Sequence, residues 1–421
     1  MMLDSLNDRD GNHDVVVTGI GILTSVAANI EEFTHALRNG ICGITDSGEE
    51  DFGIMAQIQN FNYEDRLSSL NVDHSIFLRA GKAGRRLPRS AQVSIITALQ
   101  AWKQAFGDTK IYSPSDINIL VAGTNFNQGY QYANWRKFQQ HRSYIPASYA
   151  LHFMDTDQVD LLSEILGVQG EGLTVGGASA SGNVALLQAW RQIRYGLCKA
   201  CVVIGAMADL SPVEIQAFKQ MGAMGGKRVG AEADKACRPF DRDRDGFIYG
   251  EGCACLILES AESVRNRDQA NYGRIAGGAM CLDGNRSSDP KMSGEVRAMT
   301  SALEVASIEP ADIDYVNAHA TSSVLGDEIE LQALEELFGD HLSNVWVNAT
   351  KGMVGHCLFA AGLIEAAATL LQMKNGFLHP NLNLINPLEN RCRFVGAAAQ
   401  QEDIHVALKN SFGFGGINTS M

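Results

Sequence analysis

The chain has 421 residues, 45% hydrophobic and 19% charged, with only 9 prolines, a length and composition that suit two or three folding units and exclude a disordered chain or a small binding module. Its 34 basic and 48 acidic residues leave a net charge of −14, which opposes attraction to phosphate backbones or anionic lipid and argues against nucleic acid and membrane partners. The 42 glycines exceed the usual share of roughly 7%, so many tight turns are expected.

The opening residues, MMLDSLNDRDGNHD, are acidic and polar where a secretory signal would carry a basic start and an apolar run. No stretch approaches the roughly 18 apolar residues of a membrane span, and a cytoplasmic location is expected. Nine cysteines, an odd number placed in apolar segments such as those around Cys198, Cys201, Cys253, Cys255 and Cys357, fit reduced core thiols rather than a disulfide framework.

The first element is VVVTGIGIL, residues 15–23, which reads as a buried strand ending in a glycine turn. Gly19 and Gly21 suggest a dinucleotide loop, but Thr24 occupies the place of the third glycine, so no nucleotide cofactor is expected. Residues 79–89 then carry Arg79, Lys82, Arg85, Arg86 and Arg89 with no acidic residue, just before the helical pattern SAQVSIITALQAWKQAF. Against an acidic background this is a local basic cluster.

Strand-like runs recur as INILVAG, GLTVGG, CVVIGAM, CACLILE, DYVNAH, VWVNAT and IHVALKNSFG. Between several of them lie helical patterns, SGNVALLQAWRQIRYG and AAGLIEAAATLLQMKNG, each ending at a glycine suited to a left-handed cap. The alternation predicts an α/β protein with parallel sheets covered on both faces. A boundary is expected near residues 256–275, in the charged connector SAESVRNRDQANYGR.

Four segments carry candidate chemistry. GLTVGGASASGNVALLQAW delivers Ser179 on a strand-to-helix turn, where a side chain is held exposed and the helix N-terminus favours developing negative charge. Ser179 and Ser181 equally suit plain helix capping. DYVNAHATSSVLGDEIELQAL places His319 in a loop of small hydroxylated residues, followed by Asp327 and Glu330, and NATKGMVGHCLFAAGLIEAA places Lys351 and His356 before a helix carrying Glu365. NSFGFGGINTSM ends the chain with an aromatic and glycine loop. Metal binding is the rival reading, but the Cys198 and Cys201 pair and the Cys253 and Cys255 pair lack ordinary zinc spacing, so no metal is expected. A thioredoxin-like role for Cys198 is disfavoured because its motif follows a helix end rather than opening a helix.

Taken in order, VVVTGIGIL, RPFDRDRDGFIYGEG, VNAHATSSVLGDEIE, KGMVGHCLFAAGLIEA and NSFGFGGINTS make nearly the whole chain resemble the β-ketoacyl-acyl-carrier-protein synthases (ketosynthases) of the thiolase superfamily. The resemblance implies a thiolase fold, an α/β arrangement of two similar halves in five αβαβα layers, here residues 1–260 and 261–421. It implies a cysteine at the elbow and two histidines. The histidines match His319 and His356 and the family's lysine matches Lys351, but Ser179 stands where the cysteine belongs, in ASASG. Ala320 also replaces the glycine that usually follows the histidine.

A cysteine thiol becomes a competent thiolate with modest help, whereas a serine hydroxyl needs a general base close at hand. By analogy these histidines are hydrogen-bond donors, so acyl transfer onto Ser179 is expected to fail. Decarboxylation of a malonyl thioester needs only stabilisation of the enolate oxygen. The family contains ketosynthase-like decarboxylases of this kind, including free-standing serine forms in polyketide β-branching cassettes that convert malonyl-carrier protein to acetyl-carrier protein.

The expected roles follow from that resemblance. Ser179 shapes the pocket, His319 and His356 stabilise the enolate, and Lys351 orients the second-histidine loop, with Asp327, Glu330 and Glu365 as supporting carboxylates. Thr321 and Ser323 match contacts to a phosphopantetheine arm, Phe412 and Phe414 belong to the substrate loop, and the Phe414 backbone N–H matches an oxyanion position. Arg79, Lys82, Arg85, Arg86 and Arg89 are expected to dock an acyl carrier protein, and a homodimer with no bound cofactor is expected. The alternatives are a non-catalytic chain-length partner of a heterodimeric ketosynthase, a serine acyltransferase, and an engineered substitution in a condensing enzyme.

Overall fold

A computed structural model describes residues 14–227, 232–267, 269–286, 288–388 and 391–421. The polar opening segment on which the reading of a leader turned lies almost wholly outside the described residues. Two six-stranded sheets organise the chain. The first contains β1 (Val15–Thr24), β2 (Ile117–Ala122), β3 (Gly172–Val175), β4 (Ala200–Gly205), β5 (Gly252–Ser260) and β6 (Gly273–Ile275), in the order β3-β2-β4-β5-β1-β6.

The second contains β7 (Ala279–Leu282), β8 (Tyr315–Asn317), β9 (Trp346–Asn348), β10 (Arg393–Phe394), β11 (Ala407–Gly413) and β12 (Ile417–Ser420), in the order β10-β9-β8-β11-β12-β7. Strand β6 follows residue 260 in sequence yet pairs with β1, so the first sheet takes one edge from the later part of the chain.

The expected parallel sheets are corrected to mixed ones. β2 is parallel to β3 and β4, but β5 runs antiparallel to β4 and β1. In the second sheet β8 is parallel to β9 and β11, whereas β12 is antiparallel to β11 and β7. The continuous apolar runs of β1, β2, β4 and β5 report burial of both faces, and burial does not depend on strand direction.

The layers are completed by α1 (Arg89–Phe106), α2 (Asp157–Leu166), α3 (Ser181–Arg194), α4 (Met292–Ala306), α5 (Val324–Phe338) and α6 (Ala361–Asn375). Helices α1 and α2 cover the outer face of the first sheet, α4 and α5 cover that of the second, and α3 and α6 lie between the sheets. This is the αβαβα sequence of layers. Packed from both sides, the central helices bury Leu186, Ala189, Leu363 and Ala367 in one core with β1 and β4 residues. They cross at Gly182 and Gly362, where a Cβ on Gly182 would lie 2.8 Å from the Gly362 Cα and one on Gly362 would lie 2.7 Å from the Asn183 N. Among the described residues no helix is long and apolar enough to cross a membrane.

Candidate active site

Each central helix is entered through the same turn. Ala178 has φ +48°, the 3-10 turn Ala178–Ala180 follows and α3 begins; Leu358 has φ +48°, the turn Leu358–Ala360 follows and α6 begins. Residues other than glycine seldom adopt this left-handed region, and such strain is held only where surrounding packing enforces it. Here the helix crossing and the sheets on either side supply that packing. The first turn presents Ser179 and the second Phe359, and both line a cavity of about 400 Å³.

Neither serine caps α3 through its side chain; Ser181 Oγ instead pins the turn, accepting from the Gly177 N–H at 2.9 Å and donating to the Ala178 carbonyl at 2.7 Å. Ser179 is left to face the cavity, and its Oγ lies 2.8 Å from His356 Nε2. An imidazole nitrogen is therefore within reach of the hydroxyl, although the resemblance casts this ring as a hydrogen-bond donor. It is a poorly equipped base. His356 Nδ1 is buried without a hydrogen-bond partner, so no carboxylate orients the ring as a serine triad requires.

The two histidines meet edge to face, ring centroids 5.7 Å apart. Burial first, then the Lys351 charge, pushes both imidazoles well below the usual histidine range, with Lys409 adding to the effect. Neutral rings result, each with one N–H to donate. Lys351 Nζ donates to the His319 carbonyl and to Glu365 Oε1, and lies 3.5 Å from His319 Nδ1. An ammonium has no lone pair, which assigns the proton of His319 to Nε2. The expected role of Lys351 is thus corrected: it braces the first histidine rather than the loop of the second.

The supporting carboxylates hold the His319 loop from behind. Glu330 accepts from the backbone N–H groups of His319 and Ala320, each at 2.8 Å, and from Asn410 at 3.1 Å. Asp327 accepts from Phe240 N–H at 2.8 Å, and burial raises its carboxyl to about 7. The segment around Phe240, conspicuous in the sequence but given no task, braces both histidine loops. Arg244 donates to the carbonyls of Ser323 and Val324. Ile248 O accepts from His356 N–H at 2.7 Å, and Gly250 N–H donates to His356 O at 3.1 Å.

Thr321 and Ser323 line the cavity and hydrogen-bond each other at 3.0 Å. Phe412 is buried edge-on to His319, ring centroids 5.8 Å apart, and Phe414 lines the mouth at 41% exposure. Among the described residues no group of three or more His, Cys, Asp or Glu side chains is arranged to hold a metal ion.

The basic segment divides. Lys82, Arg85 and Arg86 are exposed, and Arg85 reaches Glu64 across the surface at 3.1 Å. Arg89 instead turns inward to Glu251 at 2.9 Å, and Arg79 donates to the Ile165 carbonyl at 2.9 Å. Both side chains serve the fold: Arg89 gives the buried Glu251 carboxylate the charged partner it needs, and Arg79 satisfies a carbonyl near the end of α2.

Sequence reasoning passed over Arg244, Glu295 and Lys409. Glu295 is 1% exposed on the cavity wall, and burial together with Glu330 raises its carboxyl well above the usual range. A lysine inside the strand-like run IHVALKNSFG was the signal for Lys409.

Profiles described as "Beta-ketoacyl synthase, N-terminal domain" and "Beta-ketoacyl synthase, C-terminal domain" match residues 12–263 and 272–385. The chain is 38% identical to the polyketide biosynthesis malonyl-ACP decarboxylase PksF of Bacillus subtilis (strain 168), over 97% of this chain and 95% of that one. A β-ketoacyl synthase crystal structure from Burkholderia phymatum superposes with a TM-score of 0.84 at 26% identity, covering 97% of this chain and 98% of that one. A type II polyketide ketosynthase, in complex with its acyl-carrier protein, does so with a TM-score of 0.84 at 25% identity and the same coverage.

Proposed function

This chain belongs to the β-ketoacyl synthase family, and from that premise we propose that it is a ketosynthase-like decarboxylase converting malonyl-ACP to acetyl-ACP without elongating any chain. The observation that carries the reading is a buried pair of neutral imidazoles facing a hydroxyl where the family's chemistry needs a thiol. The bond between the malonyl carboxylate carbon and its α-carbon breaks, CO2 leaves, and the electron pair passes into the thioester as an enolate. Preorganised N–H donors from His319 and His356 stabilise the oxygen that gains charge. The α-carbon then takes a proton from water in the cavity, giving the acetyl thioester. No step requires a covalent bond to Ser179 or a bound cofactor.

The substrate arrives on the phosphopantetheine arm of an acyl carrier protein, with Thr321, Ser323, Phe412 and Phe414 along its path and Lys82, Arg85 and Arg86 as the docking charges. We place the protein in the cytoplasm as a homodimer, supplying acetyl-ACP for β-branching. The dimer is supported by the open edge of β3, where Leu173 is 45% exposed, and by exposed Trp135, Tyr144, Leu151 and Phe153 on neighbouring elements.

One observation favours a second reading: the 2.8 Å contact of Ser179 Oγ with His356 Nε2 is the geometry of a serine acyltransferase. The depressed imidazole and its unpartnered Nδ1 weigh against it. A chain-length partner would not require the histidine pair. Intact-protein mass spectrometry of malonyl-carrier protein incubated with the enzyme decides: loss of one CO2 with no acyl adduct on this chain is expected. Unchanged substrate overturns the enzyme reading, and an adduct on Ser179 favours the acyltransferase.

A further inference from the structure

Lys409 stands on β11, inside the molecule and 4% exposed, its backbone paired in both directions with Met421. Its Nζ lies 3.0 Å from Glu365 Oε2 and 2.8 Å from Asn183 Oδ1, and donates to Ser411 Oγ. The other oxygen of Glu365 is held by Lys351. Two buried ammonium groups therefore share one carboxylate, and the trio carries one surplus positive charge.

That surplus is unfavourable for folding, since a buried ion without full compensation is destabilising. Chemistry offers a use for it. Asn183 lies on α3, the helix entered from Ser179; Glu365 lies on α6, entered from the His356 loop; and Lys351 braces His319. Lys409 ties these three supports together at the back of the histidine pair, where an anion appears during malonyl decarboxylation.

We propose that Lys409 is a positioning residue for the decarboxylation: its ammonium clamps Glu365 against Lys351, so fixing His319, and supplies the surplus positive charge behind the two enolate-stabilising imidazoles. The inference rests on the decarboxylase reading above. The charged and titratable groups facing it are Glu365 from α6, Lys351 from the short helix Lys351–Val354, Glu330 from α5, and the two histidines. Burial lowers the ammonium to about 8, with Glu365 opposing and Lys351 reinforcing the shift. Below about pH 8 it is charged, and above that it loses its proton and the surplus with it.

The wild-type enzyme is first assayed on malonyl-carrier protein from pH 6 to 9.5, and kcat is expected to fall on an alkaline limb centred near pH 8. Lys409→Met leaves Glu365 paired with Lys351, so its melting temperature should hold or rise. Its kcat should fall roughly 10- to 100-fold, the scale of a small misplacement in a preorganised site, with KM unchanged and the alkaline limb gone. A variant with wild-type kcat, or one that retains the limb and loses activity only in step with its melting temperature, overturns the proposal.

A wild type without the limb also overturns it, which covers a variant that fails to fold. If wild type left malonyl-carrier protein intact, the decarboxylase reading would fall. Lys409 would then be judged by the ring nitrogen shifts of His319, which must differ between wild type and Lys409→Met for the clamp to stand.

Discussion

Ser179 Oγ and His356 Nε2 lie 2.8 Å apart, joined from positions 177 residues distant in sequence. The contact couples the two elbows at the site, yet hydroxyl and imidazole are unequal partners in the chemistry. Ser179→Ala should leave decarboxylation within about tenfold of wild type, because in the proposed mechanism imidazole N–H groups, and not the hydroxyl, meet the enolate oxygen. His319→Ala or His356→Ala should each cost on the order of 10²–10³ in kcat, the scale of removing one donor from an oxyanion site. Release of CO2 from malonyl-carrier protein measures all three. Loss of turnover in Ser179→Ala with retention in the histidine variants would reverse the assignment.

The protonation state of the pair gives a second expectation. A free imidazole is half protonated at about pH 6.5, whereas burial and the lysines hold both rings neutral there. Nitrogen-15 shifts, assigned with His319→Gln and His356→Gln, should report neutral rings at pH 6, with His319 protonated at Nε2; an imidazolium signal for either would contradict the donor mechanism.

Linkage gives the sign for stability. As pH falls below about 6.5 the unfolded chain takes up these two protons before the folded site does, so the pair costs stability with acidification. Asp327, raised to about 7 from 3.8, acts oppositely, its contribution shrinking as pH rises through that window. The two effects oppose each other in melting curves, which makes nuclear magnetic resonance the cleaner measurement.

The helix crossing allows no added methyl. Alanine in a helix interior is ordinarily favoured over glycine by roughly 0.5–1 kcal/mol. Gly182→Ala and Gly362→Ala should instead each destabilise by about 1–3 kcal/mol, since the new Cβ meets backbone that must move. Urea midpoints at constant m-value would show it, and a raised midpoint would mean that the helices can part.

For the basic segment, Arg85→Glu combined with Arg86→Glu should raise KM for malonyl-carrier protein, most strongly at low salt, and leave malonyl-pantetheine turnover unchanged. Arg89→Ala should behave differently, lowering stability by about 1–3 kcal/mol through the stranded Glu251 and leaving the salt dependence of KM as in wild type. Equal loss on both substrates in the Arg85, Arg86 variant would make that patch structural.

The elbow and both histidines were readable because each sits in a short local pattern of strand, small-residue turn and helix, whereas the five-layer arrangement came from the family resemblance. Strand direction was not readable, since β5 is buried on both faces whichever way it runs. The tasks expected of Arg89 and Lys351 took no account of their partners, Glu251 and the His319 carbonyl, which lie 162 and 32 residues away. Lys409 belongs to the same class, because nothing near it in sequence announces Glu365 or Asn183 across the core. Long-range charge pairing decides where a basic side chain turns, and periodicity carries no record of it.

Leu358 repeats the backbone angle of Ala178, so the chain builds one joint twice and equips only the first with a reactive heteroatom. The second carries Phe359, set edge to face against Phe126 at 6.3 Å and forming part of the cavity wall. Inheritance can therefore alter the two joints separately: a change at 179 rewrites the reactive group of the chamber, and a change at 359 reshapes its wall. A thiol placed at the first joint would leave untouched the wall that the second one sets.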